Sequence, residues 1–161
     1  MTFDGVQVRA GEAGDLTGIV ALEGIVPEAP HWPEAVYAAM FDVSARPPRC
    51  VFVARSEAGL AGFAVGLFVD GGDGIAELES VVVAPDSRRA GLGKSLCSAV
   101  LEWCRARGAK AMVLEVRASS VGAVSLYGSL GFVVVGRRPG YYPGRAGGEE
   151  DAVVMRLGLE E

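Results

Sequence analysis

Three valines, Val81, Val82 and Val83, run into a loop that carries Arg88, Arg89, Ala90, Gly91, Leu92, Gly93, Lys94 and Ser95 and opens directly into an amphipathic stretch. Glycine lets backbone N–H groups approach an anion closely, and the first turn of a helix offers unpaired amides at its positive dipole end. With two arginines beside it, this is a construction suited to a pyrophosphate. Two familiar phosphate motifs fail here. Gly93-Lys94-Ser95 has the ending of a nucleoside-triphosphate loop, but Arg88 stands where that loop needs its first glycine. Gly91 and Gly93 could open a dinucleotide fingerprint, but Leu96 occupies the third glycine position. The pattern that fits without a gap is Arg/Gln-x-x-Gly-x-Gly/Ala after a strand, met by Arg88, Gly91 and Gly93.

Few other side chains can do chemistry. The one histidine, His31, sits between two prolines with no ligand-like spacing around it, which argues against a metal site and against a Ser-His-Asp hydrolase. Cys50, Cys97 and Cys104 form no paired framework and read as small buried thiols. Carboxylates, tyrosines, backbone amides or a cofactor are left to do the chemistry. Glu115 alternates with Val113 and Ala111 on one strand face, and Tyr127 falls at helical spacing from Ala123 and Leu130. The net charge of −5 argues against non-specific nucleic-acid binding and suits a cationic partner such as a basic peptide or a protonated amine.

These residues need a scaffold, and the chain supplies one of ordinary single-domain size, 161 residues of which half are hydrophobic. A short strand near Val6 precedes a helix capped at Asp15, and a second helix has Pro33 at its first position. Strands over 50–55, 60–69 and 75–84 form an antiparallel meander. A helix over 92–107 ends at Gly108, followed by a strand over 109–116, a helix over 120–130, and strands over 132–138 and 151–159. The order βααβββαβαββ makes the fold α/β (α+β): a mixed, mostly antiparallel twisted sheet of about seven strands flanked by four helices, one domain over 1–161. No run of about 18 apolar residues is present to span a membrane. The first residues have neither the basic start nor the apolar stretch of a secretory signal, so a cytoplasmic location is expected.

The Arg88–Gly93 loop resembles that of the GNAT N-acetyltransferases, in which it holds the pyrophosphate of acetyl-CoA. Within that superfamily, "LEVRASSVGAVSLYGSLGF" and "RRPGYYPGRAGGEEDAVVM" resemble the bacterial ribosomal protein alanine N-acetyltransferase (RimI-type) group, from Glu77 to Met155. The resemblance implies the GNAT fold and an acetyl-CoA-dependent transfer to a protein N-terminus in a ternary complex, coenzyme A being the product. The acceptor it implies is an alanine-starting ribosomal protein of the small subunit. It implies Glu115 as general base, Tyr127 as general acid near the thioester, and residues 81–83 and 88–95 as the cofactor site. It also implies that Tyr141 and Tyr142, between the last two strands, line a peptide groove, with Trp32 on its opposite lip. Ser120 stands where the group commonly has a cofactor-contacting asparagine; it is shorter, but can cap the following helix.

Chemistry supports this division unevenly. An α-amine with pKa near 8 is about one-tenth neutral at pH 7, so a carboxylate base suffices, whereas a lysine near 10.4 is harder to deprotonate. A phenol near 10 protonating a thiolate near 8.5 runs uphill by about 2 kcal/mol, so Tyr127 is expected at least to hydrogen-bond the departing sulfur. Two other functions compete: acetylation of a small-molecule amine, and a silent module that only binds acyl-CoA.

Overall fold

Alternating burial builds the centre of the protein. In the computed structural model, which describes residues 2–3, 5–27, 29–69, 71–88, 91–143 and 148–160, Val51 and Val53 face one side of a strand while Cys50 and Ala54 face the other. That strand, Arg49–Ser56, is the third of eight. The others are Thr2–Phe3 (β1), Val6–Ala10 (β2), Gly59–Phe68 (β4, after β3), Ile75–Val83 (β5), Ala111–Arg117 (β6), Val133–Pro143 (β7) and Glu149–Gly158 (β8). They form one sheet in the order β1-β2-β3-β4-β5-β6-β8-β7, antiparallel except for the parallel pair β5–β6. The expected sheet of about seven strands is thus present with one two-residue strand added, β1, which pairs back on β2 through Gly5 at φ 78°.

Four helices cover the sheet: Leu16–Ile25 (α1), Glu34–Ala39 (α2), Leu92–Ala106 (α3) and Val121–Ser129 (α4). One face is packed by α3 and α4 through Leu92, Leu96, Val100, Cys104 and Tyr127. The other is packed by α1 and α2 through Ile19, Leu22 and Tyr37 against Val51, Val53, Phe63, Val65 and Val82. No described residue of β6, β7 or β8 belongs to this second cluster, so the helices leave that end of the second face bare. All three cysteines are buried and unpaired, as expected of structural thiols.

Two local expectations are corrected. Pro33 stands just before α2, at its N-cap, and Glu34 is the first helical residue. Asp15 does not cap α1 through its side chain. Its carboxylate, 3% exposed, accepts hydrogen bonds from Arg9 (2.8 and 3.0 Å), from the Glu12 N–H (2.8 Å) and from Arg55 (3.2 Å). A carboxylate with two cations in reach gains more from them than from a helix end.

The Arg9 hydrogen bond, above all, holds the Asp15 carboxyl below its ordinary value. A depressed carboxylate stabilises the fold above its unfolded value, near pH 4, and loses that contribution as pH falls through the lower folded one. Asp15→Asn is therefore expected to cost about 1–3 kcal/mol near neutral pH. The difference from wild type should shrink below about pH 4. Urea midpoints measured from pH 7 to pH 3 check both statements.

Candidate active site at the split between β5 and β6

The parallel pairing of β5 and β6 is short. It joins Ile75 to Ala111, Ala76 to Met112 and Glu77 to Val113, and stops there, although both strands continue. Beyond it Leu78–Val83 stays paired to β4, and Leu114–Arg117 to β8. Among the described residues the sheet is therefore split on the carboxyl side of its one parallel pair, and α3 and α4 are the next α-helices after these two strands. Crevices outside the carboxyl ends of parallel strands are where open α/β sheets bind ligands.

A bulge tunes this edge. Val65 pairs with Ser80, but Gly66 pairs with Leu78, leaving Glu79 as the extra residue. Before it, Ala76 and Leu78 face α3; after it, Val81 and Val83 do, while Val82 is buried under α1 and α2. The valines thus commit their side chains to the two cores. Val81 and Val83 stay partly buried, and the backbone of these residues on the side away from β4 is available to a ligand in the split.

At its α3 side the loop expected to cradle an anion leads, among the described residues, into a helix start without a side-chain cap. Gly91 is the N-cap of α3, left-handed at φ 77°. The first intrahelical bond runs from the Ser95 N–H to the Gly91 carbonyl (3.1 Å), so the amides of Leu92, Gly93 and Lys94 lie ahead of the helical ladder. A Cβ on Gly93 would come within 3.1 Å of Leu126 on α4, so glycine is what lets α4 close against α3 here. The Leu92 side chain is in the core and can offer only its amide. Arg88 donates from Nε to the Val83 carbonyl (3.4 Å), which holds its side chain near the strand end. Arg89 and Ala90 lie outside the described residues. Uncapped amides, a left-handed glycine and a glycine needed for helix closure fit a diphosphate; they suit a bulky side-chain ligand set far less.

Ser120, expected to cap α4, does so through its backbone alone, accepting from the Val124 N–H (3.0 Å) without a side-chain cap bond. Tyr127 is buried on the α3–α4 face, with its ring edge-on to Phe132 at 6.0 Å. Burial, with smaller contributions from Cys97 and Tyr142, pushes its pKa well up.

Glu115 points the other way. Met112, Leu114 and Val116 of β6 join the α3–α4 core, so Val113, Glu115 and Arg117 face the bare end of the opposite side. There Glu115 meets the Nε of Arg138 at 2.8 Å. Hydrogen bonding to Glu115 pushes the pKa of the Tyr141 hydroxyl up. Glu77 lies on the same face; burial first, then Glu79 and Glu115, raises its pKa, although its side chain keeps contact with water. Glu79 is held by Arg49 at 2.7 Å. Glu115 and Tyr127 thus stand on opposite faces of the split. Tyr142 feels Glu115 on one side and adds to the shift of Tyr127 on the other.

The two tyrosines are not between strands, as expected, but within β7, which continues to Pro143. They pack edge-on at 5.0 Å; Arg117 sits over the Tyr142 ring at 4.6 Å and donates to the Pro143 carbonyl at 2.7 Å. Trp32 is half-buried and held in place: its backbone N–H donates to Glu23 (2.9 Å) and its ring packs 5.6 Å from Tyr37, which also donates to Glu23. His31, in a left-handed conformation at φ 59°, places Nδ1 3.2 Å from the same carboxylate. Sequence reasoning missed Glu23, Arg138 and the Glu77–Glu79 pair. Arg138 alone had a signal, the Arg-x-x-Tyr-Tyr-Pro run.

A mixed sheet split beside a parallel pair, with an uncapped helix start on one lip and Glu115 and Tyr127 on opposite faces, is an architecture that fits group transfer from a diphosphate-bearing cofactor. The chain belongs to the acetyltransferase (GNAT) family, whose pattern matches residues 19–132. The [ribosomal protein bS18]-alanine N-acetyltransferase of Salmonella typhimurium is 44% identical over 82 residues, 51% of this chain and 55% of that protein. The chain thus spans about half the length of the curated relatives it matches. The crystal structure of the ribosomal-protein-S18-alanine N-acetyltransferase from Escherichia coli superposes with a TM-score of 0.82 at 31% identity, over 97% of this chain and 95% of that one. A nourseothricin acetyltransferase structure superposes with a TM-score of 0.76 at 27% identity, over 97% and 99%. Among the described residues, no helix is long and apolar enough to cross a membrane, and no group of His, Cys, Asp or Glu is placed to hold a metal.

Proposed function

We propose that residues 1–161 act as one acetyl-CoA-dependent N-acetyltransferase domain whose acceptor is the α-amine of a protein, an N-terminal alanine of ribosomal protein S18 above all. The observation that carries this is the position of Glu115 on the open face of the split, opposite the buried Tyr127. When bound, acetyl-CoA would supply an acetyl group on a thioester whose sulfur leaves as a thiolate and then takes up the proton that Glu115 has received from the amine, through water. Arg88, Gly91 and the amides of Leu92, Gly93 and Lys94 hold its diphosphate, with Arg89, Ala90, Ser95 and Ser120 alongside. The backbone of Val81–Val83 offers N–H groups to the carbonyl oxygen. The acceptor chain lies along Tyr141 and Tyr142, with Trp32 positioned by Glu23.

Glu115 accepts the proton that the amine loses on attack, directly or through a water. An α-amine makes this a mild demand, because about a tenth of it is already neutral at pH 7. Tyr127 stays protonated. Its raised pKa makes it a poorer proton donor and an unchanged hydrogen-bond donor, so its part is to hold the sulfur as charge builds there.

The purified protein with acetyl-CoA and a free Ala-initiated peptide is expected to release thiol, and the same peptide with a blocked N-terminus to release none. Faster turnover on polyamines or aminoglycosides than on the peptide would instead make it a small-molecule enzyme. Coenzyme A binding by calorimetry with no turnover on any amine would reduce it to a binding module.

A further inference from the structure

β7 does not run evenly past Glu115. Arg138 pairs with Ala152 and Tyr142 with Glu150, so residues 139–141 stand opposite Asp151 alone. This wide bulge is pinned in the middle. Asp151 accepts the Gly140 N–H at 3.0 Å and takes the Nε of Arg137 at 2.9 Å. Gly140 has φ 60°, a conformation that favours glycine, and a Cβ there would have to displace the Glu149 carboxylate. The extra residues bring two side chains onto one target. Arg138 reaches Glu115 Oε1 at 2.8 Å, its guanidinium lies 5.5 Å over the Tyr141 ring, and the Tyr141 hydroxyl is near enough to the same carboxylate for its pKa to be pushed up by it.

We propose that Arg138 and Tyr141, delivered by the Asp151-pinned bulge, are positioning residues that clamp the Glu115 carboxylate in one orientation and offset the negative charge of its neighbours. The clamp rests on the acetyltransferase reading only for its purpose, not for its existence. The charged and titratable groups around Glu115 define what it must do. On β5, Glu77 faces it, with Glu79 behind and tied to Arg49. On β7 stand Arg138, Tyr141 and Tyr142. On β6, Arg117 is engaged with Glu150 at 3.3 Å. On β8, Val154 lies directly opposite, and the exposed Arg156 pairs with Val113 one position further along that face. Arg138 is the cation in direct contact with Glu115. Without it, Glu115 and Glu77 repel one another across the split, and a proton is the readiest way to relieve them. A protonated Glu115 accepts nothing from an amine. Arg138 therefore secures the acceptor form, and by taking Oε1 it fixes the plane in which Oε2 meets the incoming group.

The test separates the clamp from the chemistry. Carbon-13 carboxyl NMR of glutamate-labelled protein without cofactor follows the Glu115 resonance, identified by its loss in Glu115→Gln. In Arg138→Gln its titration midpoint should rise by about half to one pH unit, the low end for losing an adjacent opposite charge, because Arg138 is partly exposed. Arg138→Lys should restore most of it. Asp151→Ala, which touches no atom of Glu115, should shift it in the same direction by less. In turnover assays Arg138→Gln should move the acid limb of kcat/KM up by the same interval. A midpoint unchanged in Arg138→Gln, in protein whose thermal unfolding is intact, overturns the clamp whatever the turnover shows. A shifted midpoint with no acetyl transfer on any amine leaves the clamp standing and removes the enzymatic reading.

Discussion

Glu115→Gln is expected to lower kcat on an Ala-initiated peptide by about 10²- to 10³-fold at pH 7, within the range that removal of a general base commands. Glutamine keeps the shape and an acceptor oxygen for Arg138, so folding and coenzyme A affinity should stay close to wild type. What it cannot do is take a proton. Catalysis then depends on the fraction of amine already neutral, which rises tenfold per pH unit below its pKa near 8. The residual activity of the variant should therefore climb from pH 6 to pH 8, where wild type has begun to level. A pH–rate profile of both proteins, at saturating acetyl-CoA, reads this directly. Retention of full turnover at pH 7 by the variant would remove Glu115 from the chemistry and leave the carboxylates of β5 to be tried in its place.

The parts of this site legible in the sequence are those built from neighbours along the chain. The cradle is one: a strand, a glycine pair and a helix start lie within fifteen residues, and each carries its own local signal. Glu115 and Tyr127 are others, because strand alternation and helical spacing assign a face without knowing what lies beyond it. What stayed hidden depends on pairing at a distance. Arg138 meets Glu115 only because β8 lies between their strands in a fixed register. The bulge at Glu79 reverses which valines face α3, and a simple period of two continued from Ala76 and Leu78 would have put all three on the wrong side. Asp15 and Glu23 look like surface acids by type; they are buried because arginines in one case, and a tyrosine hydroxyl with a backbone amide in the other, satisfy them. The last strand pair was read too short for a related reason: Pro139 and Gly140 look like a turn, and are a bulge within a continuing strand.

The second large effect should come from a residue with no side chain. On the face of β4 under α3, Gly62, Ala64 and Gly66 form a lane of minimal bulk. A Cβ at Gly62 would lie 3.0 Å from Leu96 Cδ1 and 2.9 Å from the Val82 carbonyl, and one at Gly66 would clash with Val100 Cγ1 and come within 3.1 Å of Cys50 Sγ. Leu96 and Val100 are one helical turn apart and fully buried, so the glycines set how closely α3 lies on the sheet. Gly66→Val is expected to cost about 2–3 kcal/mol, the upper part of the range for overpacking. That corresponds to a fall in Tm of about 4–12 °C for a chain of this size. Because lifting α3 also moves the cradle at its head, coenzyme A affinity should weaken in the same variant, although Gly66 lies far along the helix from Gly91. A double-mutant cycle isolates the cause. Gly66→Ala and Val100→Ala should each destabilise, the first by crowding and the second by a cavity, yet the pair should cost at least about 1 kcal/mol less than their sum. Strict additivity in the cycle would mean that the close approach of helix and strand is not what glycine is there to permit.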